Sequence, residues 1–274
     1  MRGRTVLLLL YLLFAWLPIQ SLLNASLQGD GAGGAAWQPW PGAVTWAHWQ
    51  SAWSGPFGAS ALLQSLLIAA ANTVLTLLIA LPAAYALARA RSAGASLLRY
   101  WLLVDRMTPA AVAVAPLLPL FAAIGLLGSP PAVVIALALF TVPLAIWILE
   151  RFIAGVPCEL DEIAQIDRFS FARFFCTVLL PAIGPGIAIA VVASFLIGWG
   201  ELLLVQRMLP APGPLAARLA SAAPDGIAAW RELAAATLLA AIPALLAAWL
   251  LRRHLADGLL LGRRDSDIRN VDRL

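Results

Sequence analysis

The sequence predicts an all-α polytopic membrane protein with six transmembrane helices and both termini in the cytoplasm. Three observations carry the prediction. Apolar residues make up 62% of the chain and charged ones only 12%, six apolar stretches have membrane-spanning length, and the arginines gather on alternate connecting segments. A mean hydropathy of +0.89 over 274 residues is more apolar surface than one soluble core can hide, so lipid is the solvent for which the chain is built.

A helix needs about 20 apolar residues to cross a hydrocarbon core about 30 Å thick. Val6–Ser26, Ala61–Ala88, Leu97–Leu120, Pro131–Leu149, Ile183–Leu204 and Leu233–Leu251 meet that requirement within a single transmembrane domain, residues 1–274. The first stretch follows Arg2 and Arg4 as a signal peptide does, but its apolar run exceeds the usual h-region of about 7–15 residues and reads as a retained anchor. The second is longer than a bilayer requires, so it tilts or protrudes. The third contains Pro109 and Pro116 and reads as broken or kinked.

Short arginine-rich loops stay on the cytoplasmic side. Arg2 and Arg4, Arg89, Arg91 and Arg99, Arg151, Arg168 and Arg173, and the run from Arg252 to Arg273 all fall on one side. Gln28–Ser60 has no basic residue except His48, and only Arg207, Arg218 and Arg231 lie opposite. In the first outer loop Trp46, Trp49 and Trp53 recur at helical spacing, the pattern of an interfacial helix on the outer leaflet or of a partner-docking helix.

Composition also excludes function classes. All 18 basic residues other than histidine are arginine, and without lysine there is no P-loop, hence no ATP hydrolysis by a Walker mechanism, and no cofactor is expected on this chain. The arginines flank the membrane without an aromatic-basic stripe, which argues against nucleic acid. His48 and His254 lie apart, so neither a Ser-His dyad nor a His-rich metal site is expected, and no covalent chemistry is evident. Cys158 and Cys176 flank a loop assigned to the reducing cytosol, where a structural disulfide is not expected.

That loop, residues 155–181, carries the densest cluster of carboxylates. In "CELDEIAQID", Pro157 precedes a helix whose first turn holds Glu159, Asp161 and Glu162, where acids complement the helix dipole. Helical spacing predicts that Leu160, Ile163, Ala164 and Asp167 line one side, an apolar strip bordered by acids and suited to docking. Ser170 is placed to cap a second helix, Phe171–Leu180, before the Pro181 and Pro185 break.

Six polar or aromatic residues inside the expected spans call for a reason. A charge at mid-bilayer costs about 2.5–3.5 kcal/mol on insertion scales. Asp105 and Arg106 either compensate each other on a translocation path or serve structure, with Arg106 snorkelling to the headgroups. Trp199 and Glu201 suit the apolar face and hydroxyls of a sugar, and equally suit packing against another subunit. Asn72 and Gln64 are expected to form interhelical hydrogen bonds.

The stretch "VPCELDEIAQIDRFSFARFFCTVLLPAIGPG" resembles the EAA loop of ATP-binding-cassette (ABC) importer permeases. It matches that pattern at Pro157, Glu159, Leu160, Glu162, Ala164, Asp167, Ser170, Leu180, Pro181 and Pro185. It departs at Ile163, where the family has Ala, and at Arg168, where the family has Gly at a position suited to positive φ. "LPAAYALARAR", "FLIGWGELLLVQ", "GLLLGRR" and "AVTWAHWQ" are similar to segments of carbohydrate permeases of the maltose-permease-like group.

The resemblance implies a type I ABC importer permease fold in the bacterial cytoplasmic (inner) membrane. It also implies a second permease subunit, two ATPase subunits that hold ATP and Mg, an extracytoplasmic substrate-binding protein, and a sugar or sugar derivative as cargo. Glu159, Leu160, Glu162, Ile163, Ala164 and Asp167 would then dock the ATPase. The rival reading is a self-sufficient ion-coupled secondary transporter with Asp105, Arg106 and Glu201 as its relay. Against it stand the unrepeated layout and the organised acidic loop.

Overall fold

The computed structural model describes residues 2–29, 40, 42–90, 92–105, 110–201, 203–209 and 213–271. Apart from one isolated antiparallel bridge between Gln28 and Val44, regular structure among them is helical. Along the chain run α1 (Arg2–Leu27), α2 (Ala47–Ser54), α3 (Ala59–Arg89), α4 (Ala93–Asp105), α5 (Ala110–Ala123) and α6 (Pro130–Ala154). The short loop helices α7 (Glu159–Ile166), α8 (Phe171–Phe174) and α9 (Leu180–Ala182) follow, with a π segment, Phe175–Leu179, joining the last two. Then come α10 (Gly184–Gly200), α11 (Leu203–Met208), α12 (Leu215–Ser221) and α13 (Ile227–Val271).

Among the described residues four helices are long and apolar enough to cross a bilayer: Thr5–Leu27 within α1, the whole of α3 and of α6, and Ile227–Leu250 within α13. A further candidate crossing is bent by 83° between Phe171–Ala182 and Gly184–Gly200. The bend falls at Ile183, and Pro185 in the first turn of α10 has no N–H to bond back across it. Leu97–Leu120 is divided between α4 and α5, on either side of residues 106–109, which lie outside the described residues together with Arg106. The helix expected to run to Leu204 ends at Gly200: Glu201 is extended, with ψ 118°, and α11 begins at Leu203.

The chain forms two compact units. The first comprises Met1–Ser65 and Ala211–Pro243. In it Ala52, Ala235 and Ala236 are fully buried beneath Trp49, Phe57, Leu219 and Leu239. Of the three tryptophans in the outer loop, Trp49 packs on this cluster while Trp46 and Trp53 are exposed. Backbone ends are satisfied by side chains: Ser65 Oγ accepts from Leu215 N at 2.8 Å, and Arg231 Nη1 donates to Gly29 O at 3.1 Å.

The second unit comprises Leu66–Pro210 and Ala244–Leu274. Its core is built from Ala80, Ala84 and Leu87 of α3, Ala145, Leu149 and Ile153 of α6, and Leu179, Ile183 and Ala190 of the bent pair. Small residues let helix backbones approach closely, the way apolar helices associate where no water drives them together. Gly186 marks the tightest approach, since a Cβ there would sit 2.5 Å from Phe152 Cγ. Within this apolar mass lies a neutral polar knot. Thr141 Oγ1 donates to Asn72 Oδ1 at 3.1 Å, Asn72 Nδ2 donates to Ser194 O at 3.2 Å, and the Thr76 and Thr141 hydroxyls share a 2.6 Å bond. Asn72 thus ties α3 to α6 and α10 as its residue type predicts, whereas the Gln64 side chain makes no hydrogen bond among the described residues.

Candidate functional site

The acidic loop of the second unit folds around a residue to which the sequence pattern assigned no partner. Asp161 turns inward, where Tyr85 donates its hydroxyl to Oδ1 at 2.8 Å and Arg89 Nη2 meets Oδ2 at 2.7 Å. Tyr85 and Arg89 stand four residues apart on the last turns of α3, so they share one helix face. Arg89 also donates to the carbonyls of Ile153 (3.4 Å) and Val156 (3.0 Å), satisfying the end of α6. One guanidinium therefore joins the ends of α3 and α6 to the first turn of α7. The Tyr85 ring meets Phe171, Phe174 and Phe175 edge-on, with centroids 5.4, 6.4 and 6.2 Å away, and closes the joint from the α8 side.

This anchor sets the rotation of α7. With about 100° between successive residues, an inward arc through Leu160, Asp161 and Ala164 sends Glu159, Glu162 and Ile166 to the opposite side. Ala164 is buried and Leu160 packs on the core, while Glu159, Glu162, Asp167, Ile163 (52% exposed) and Ile166 (78% exposed) face outward. The expectation of a single outward strip of Leu160, Ile163, Ala164 and Asp167 is thereby corrected. Leu160 and Ala164 hold the helix to its own chain, and the exposed apolar pair is Ile163 with Ile166. The missed signals were the Tyr–Arg pair at i and i+4 in "AAYALAR" and the alternation of inward and outward acids.

The exit from α7 follows backbone rules. Phe169 N bonds to Ala164 O at 2.9 Å and Arg168 N to Gln165 O at 3.1 Å, the paired bonds of a Schellman ending. Arg168 takes the left-handed conformation this requires, φ 53°, the turn geometry expected at that position. Arg173 lies over the Phe169 ring, 4.3 Å from its centre. Ser170 caps α8 by accepting from Arg173 N at 3.3 Å. Cys158 and Cys176 are exposed free thiols.

The described residues expected on a translocation path, Asp105, Trp199 and Glu201, do not line one cavity. Asp105 ends α4 and borders a cavity of about 660 Å³ whose other walls are apolar, among them Leu75, Ile79, Trp101, Ile135 and Leu139. Its Oδ2 has no hydrogen-bond partner among the described residues. Trp199 and Glu201 do not line that cavity. Trp199 stacks on Phe195 at 5.9 Å, and Glu201 Oε1 accepts from Leu204 N at 3.4 Å, holding the turn into α11. Arg106 lies outside the described residues.

Several apolar helices of membrane-spanning length are interrupted by the short helix α7, which is braced on its inner face and exposed on its outer one. The chain belongs to the binding-protein-dependent transport system inner membrane component family, whose sequence model matches residues 76–260. It is 29% identical over 226 residues to the trehalose transport system permease protein SugB of Mycobacterium tuberculosis, covering 81% of this chain and 82% of that one. It is 31% identical over 208 residues to the alpha-glucoside transport system permease protein AglG of Rhizobium meliloti, covering 73% and 55% respectively. Among solved structures, a bacterial ABC transporter involved in the import of the acidic polysaccharide alginate has a chain of the same fold, with a TM-score of 0.79 at 16% identity over 92% of this chain and 94% of that one.

The protein is therefore a multi-pass permease subunit of the bacterial inner membrane, with the type I ABC importer fold. It works in a complex with an ATPase and a binding protein, and ATP is hydrolysed on the ATPase. These likenesses give no support to a self-sufficient ion-coupled transporter.

Proposed function

We propose that this subunit carries a sugar or sugar derivative inward as half of a pathway completed by a second permease. Two ATPase subunits, with ATP and Mg bound on them, would drive it, and an extracytoplasmic substrate-binding protein would deliver the cargo. The likeness to trehalose and alpha-glucoside transport system permease proteins supports a carbohydrate cargo.

The observation that carries the coupling role is the outward arc of α7. Glu159, Glu162, Ile163 and Asp167 present acids around an exposed apolar residue, with Ile166 beside them, while Asp161, Leu160 and Ala164 fasten the same helix to α3, α6 and α8. A helix docked in an ATPase cleft and fastened in this way transmits rigid-body motion instead of absorbing it. On the membrane side, Asp105 borders an apolar cavity, and Asp105, Arg106, Trp199 and Glu201 are the residues proposed to line the cargo path.

Charge reversal tests the docking surface. Removing one partner of a desolvated charge pair costs about 2–5 kcal/mol of binding, whereas a rim charge is worth far less. Glu162→Lys is expected to abolish co-purification of the ATPase and cargo-stimulated hydrolysis, with Asp167→Lys next in severity and Asp265→Lys nearly neutral. Wild-type co-purification by Glu162→Lys would sink the docking assignment. A panel of radiolabelled sugars on the reconstituted complex tests the cargo, and uptake confined to non-carbohydrates would overturn it.

A further inference from the structure

The last two turns of α6 and the second half of α4 enclose a cavity of about 390 Å³ that lies apart from the outward arc of α7 and shares only Leu102 with the cavity beside Asp105. Arg99, Tyr100, Leu103, Trp147, Glu150 and Arg151 line it. Arg99 is committed within the protein, bonding the Glu150 carboxylate and the Leu87 carbonyl near the end of α3. Arg151 is not: its guanidinium carbon lies over Trp147, 4.4 Å from the ring centre, and no carboxylate pairs with it among the described residues. Two cations and one anion leave the cavity with one net positive charge, at its exposed edge.

Its position gives that charge a partner. Glu150 and Arg151 close a membrane-spanning helix just before the cytoplasmic loop, so the cavity lies at headgroup depth in the inner leaflet. Tyr100 and Trp147 are 60% and 38% exposed, with broad apolar rings and polar tips, as in aromatic belts at that depth. The ring contact holds the guanidinium at this edge, and its planar fork binds phosphate oxygens two at a time. Most of the wall is apolar, which serves acyl chains and offers nothing to a free ion.

We propose that this cavity binds the headgroup and upper acyl chains of an anionic phospholipid of the cytoplasmic leaflet. Arg151 holds the phosphodiester, the Tyr100 hydroxyl donates to it, and Leu103 and Trp147 lie along the chains. The site is independent of the cargo and of the ATPase surface.

The test uses the assembled, delipidated transporter in neutral detergent, titrated with dioleoyl phosphatidylglycerol or dioleoyl phosphatidylcholine and read by native mass spectrometry. Wild type is expected to retain phosphatidylglycerol in preference to phosphatidylcholine. Arg151→Gln should weaken phosphatidylglycerol binding about fivefold, the size of effect of one basic residue at an anionic membrane surface, and leave phosphatidylcholine binding unchanged. Arg151→Lys, which keeps the charge without the fork, should fall between them and serves if Arg151→Gln does not assemble. Equal phosphatidylglycerol affinity in wild type and variant overturns the proposal. So does displacement of the lipid by equimolar inorganic phosphate, which would mark a site for a free anion. Absence of any bound lipid also overturns it, because that face would then be covered by another subunit.

Discussion

Two polar joints in the same unit fasten α3 to later helices, and they use opposite chemistry. About four turns into α3 the apolar surroundings are too deep for ions, and there Asn72, Thr76, Thr141 and the Ser194 carbonyl form a neutral knot, all fully or almost fully buried. At the cytoplasmic end of α3, Tyr85 and Arg89 hold Asp161 with an ion pair whose side chains are 16% and 14% exposed. A charge deep in hydrocarbon is costly, while one at the edge is solvated by headgroups and water. The neutral joint sets how the spans pack; the charged one sets where the loop helix points. Breaking each should therefore give different symptoms.

The charged joint is expected to show the larger effect. Removing Arg89 leaves the half-sequestered Asp161 without its cation, and hydrogen bonds to charged groups are worth about 1.5–3 kcal/mol. Arg89→Gln and Asp161→Asn should each release α7 and lower cargo-stimulated ATP hydrolysis at least tenfold while the spans remain inserted. The double variant should be little worse than either single one, because both remove one interaction. Additive losses in hydrolysis would show that the two residues act separately and would dissolve the joint.

The neutral joint should respond more weakly. Interhelical hydrogen bonds in membranes average about 0.6 kcal/mol and reach about 1.7. Thr141→Val removes the donor to Asn72 and the partner of Thr76 together, so it belongs at the upper end of that range. Its expected signature is a lower unfolding midpoint of the assembled complex in a denaturing detergent, with ATPase attachment unchanged. If Thr141→Val instead detached the ATPase as Arg89→Gln does, the division of labour between the joints would be lost.

How much of this was legible in the sequence follows from the range of each signal. Apolar runs and arginine asymmetry depend only on local composition, so the all-α membrane class could be read directly, while the family was legible through the resemblance of residues 156–186 to the EAA loop. The acidic loop was legible as a helix because its cap residues are local: Ser170 does cap α8, and Arg168 does sit at a positive-φ turn. Its rotation was not legible. Leu160, Ile163, Ala164 and Asp167 do lie within one helical arc by spacing, but Asp161 is drawn inward by residues more than seventy positions earlier, and that contact decides which side faces out. The third apolar run was likewise a question of tertiary fate, since its prolines permit a break without dictating the separate helices α4 and α5.

The smallest expected effect sharpens the charged joint from its other end. Arg168 closes α7 at φ 53°, a conformation that costs a residue bearing a Cβ about 1 kcal/mol or more and costs glycine almost nothing. Arg168→Gly removes that steric cost and keeps both Schellman bonds, which come from backbone groups of Arg168 and Phe169. Glycine also enlarges the freedom of the unfolded chain, which subtracts part of the gain. The net expectation is a rise in stability below about 1 kcal/mol, read as a small upward shift in the unfolding midpoint of the complex. It should partly rescue Asp161→Asn, because a helix fixed firmly at its C-terminal end depends less on the anchor in its first turn. Arg168→Ala keeps the Cβ and loses the side chain, and it should neither stabilise nor rescue. Equal behaviour of the glycine and alanine variants would show that the arginine side chain, not the backbone conformation, is what matters at this turn.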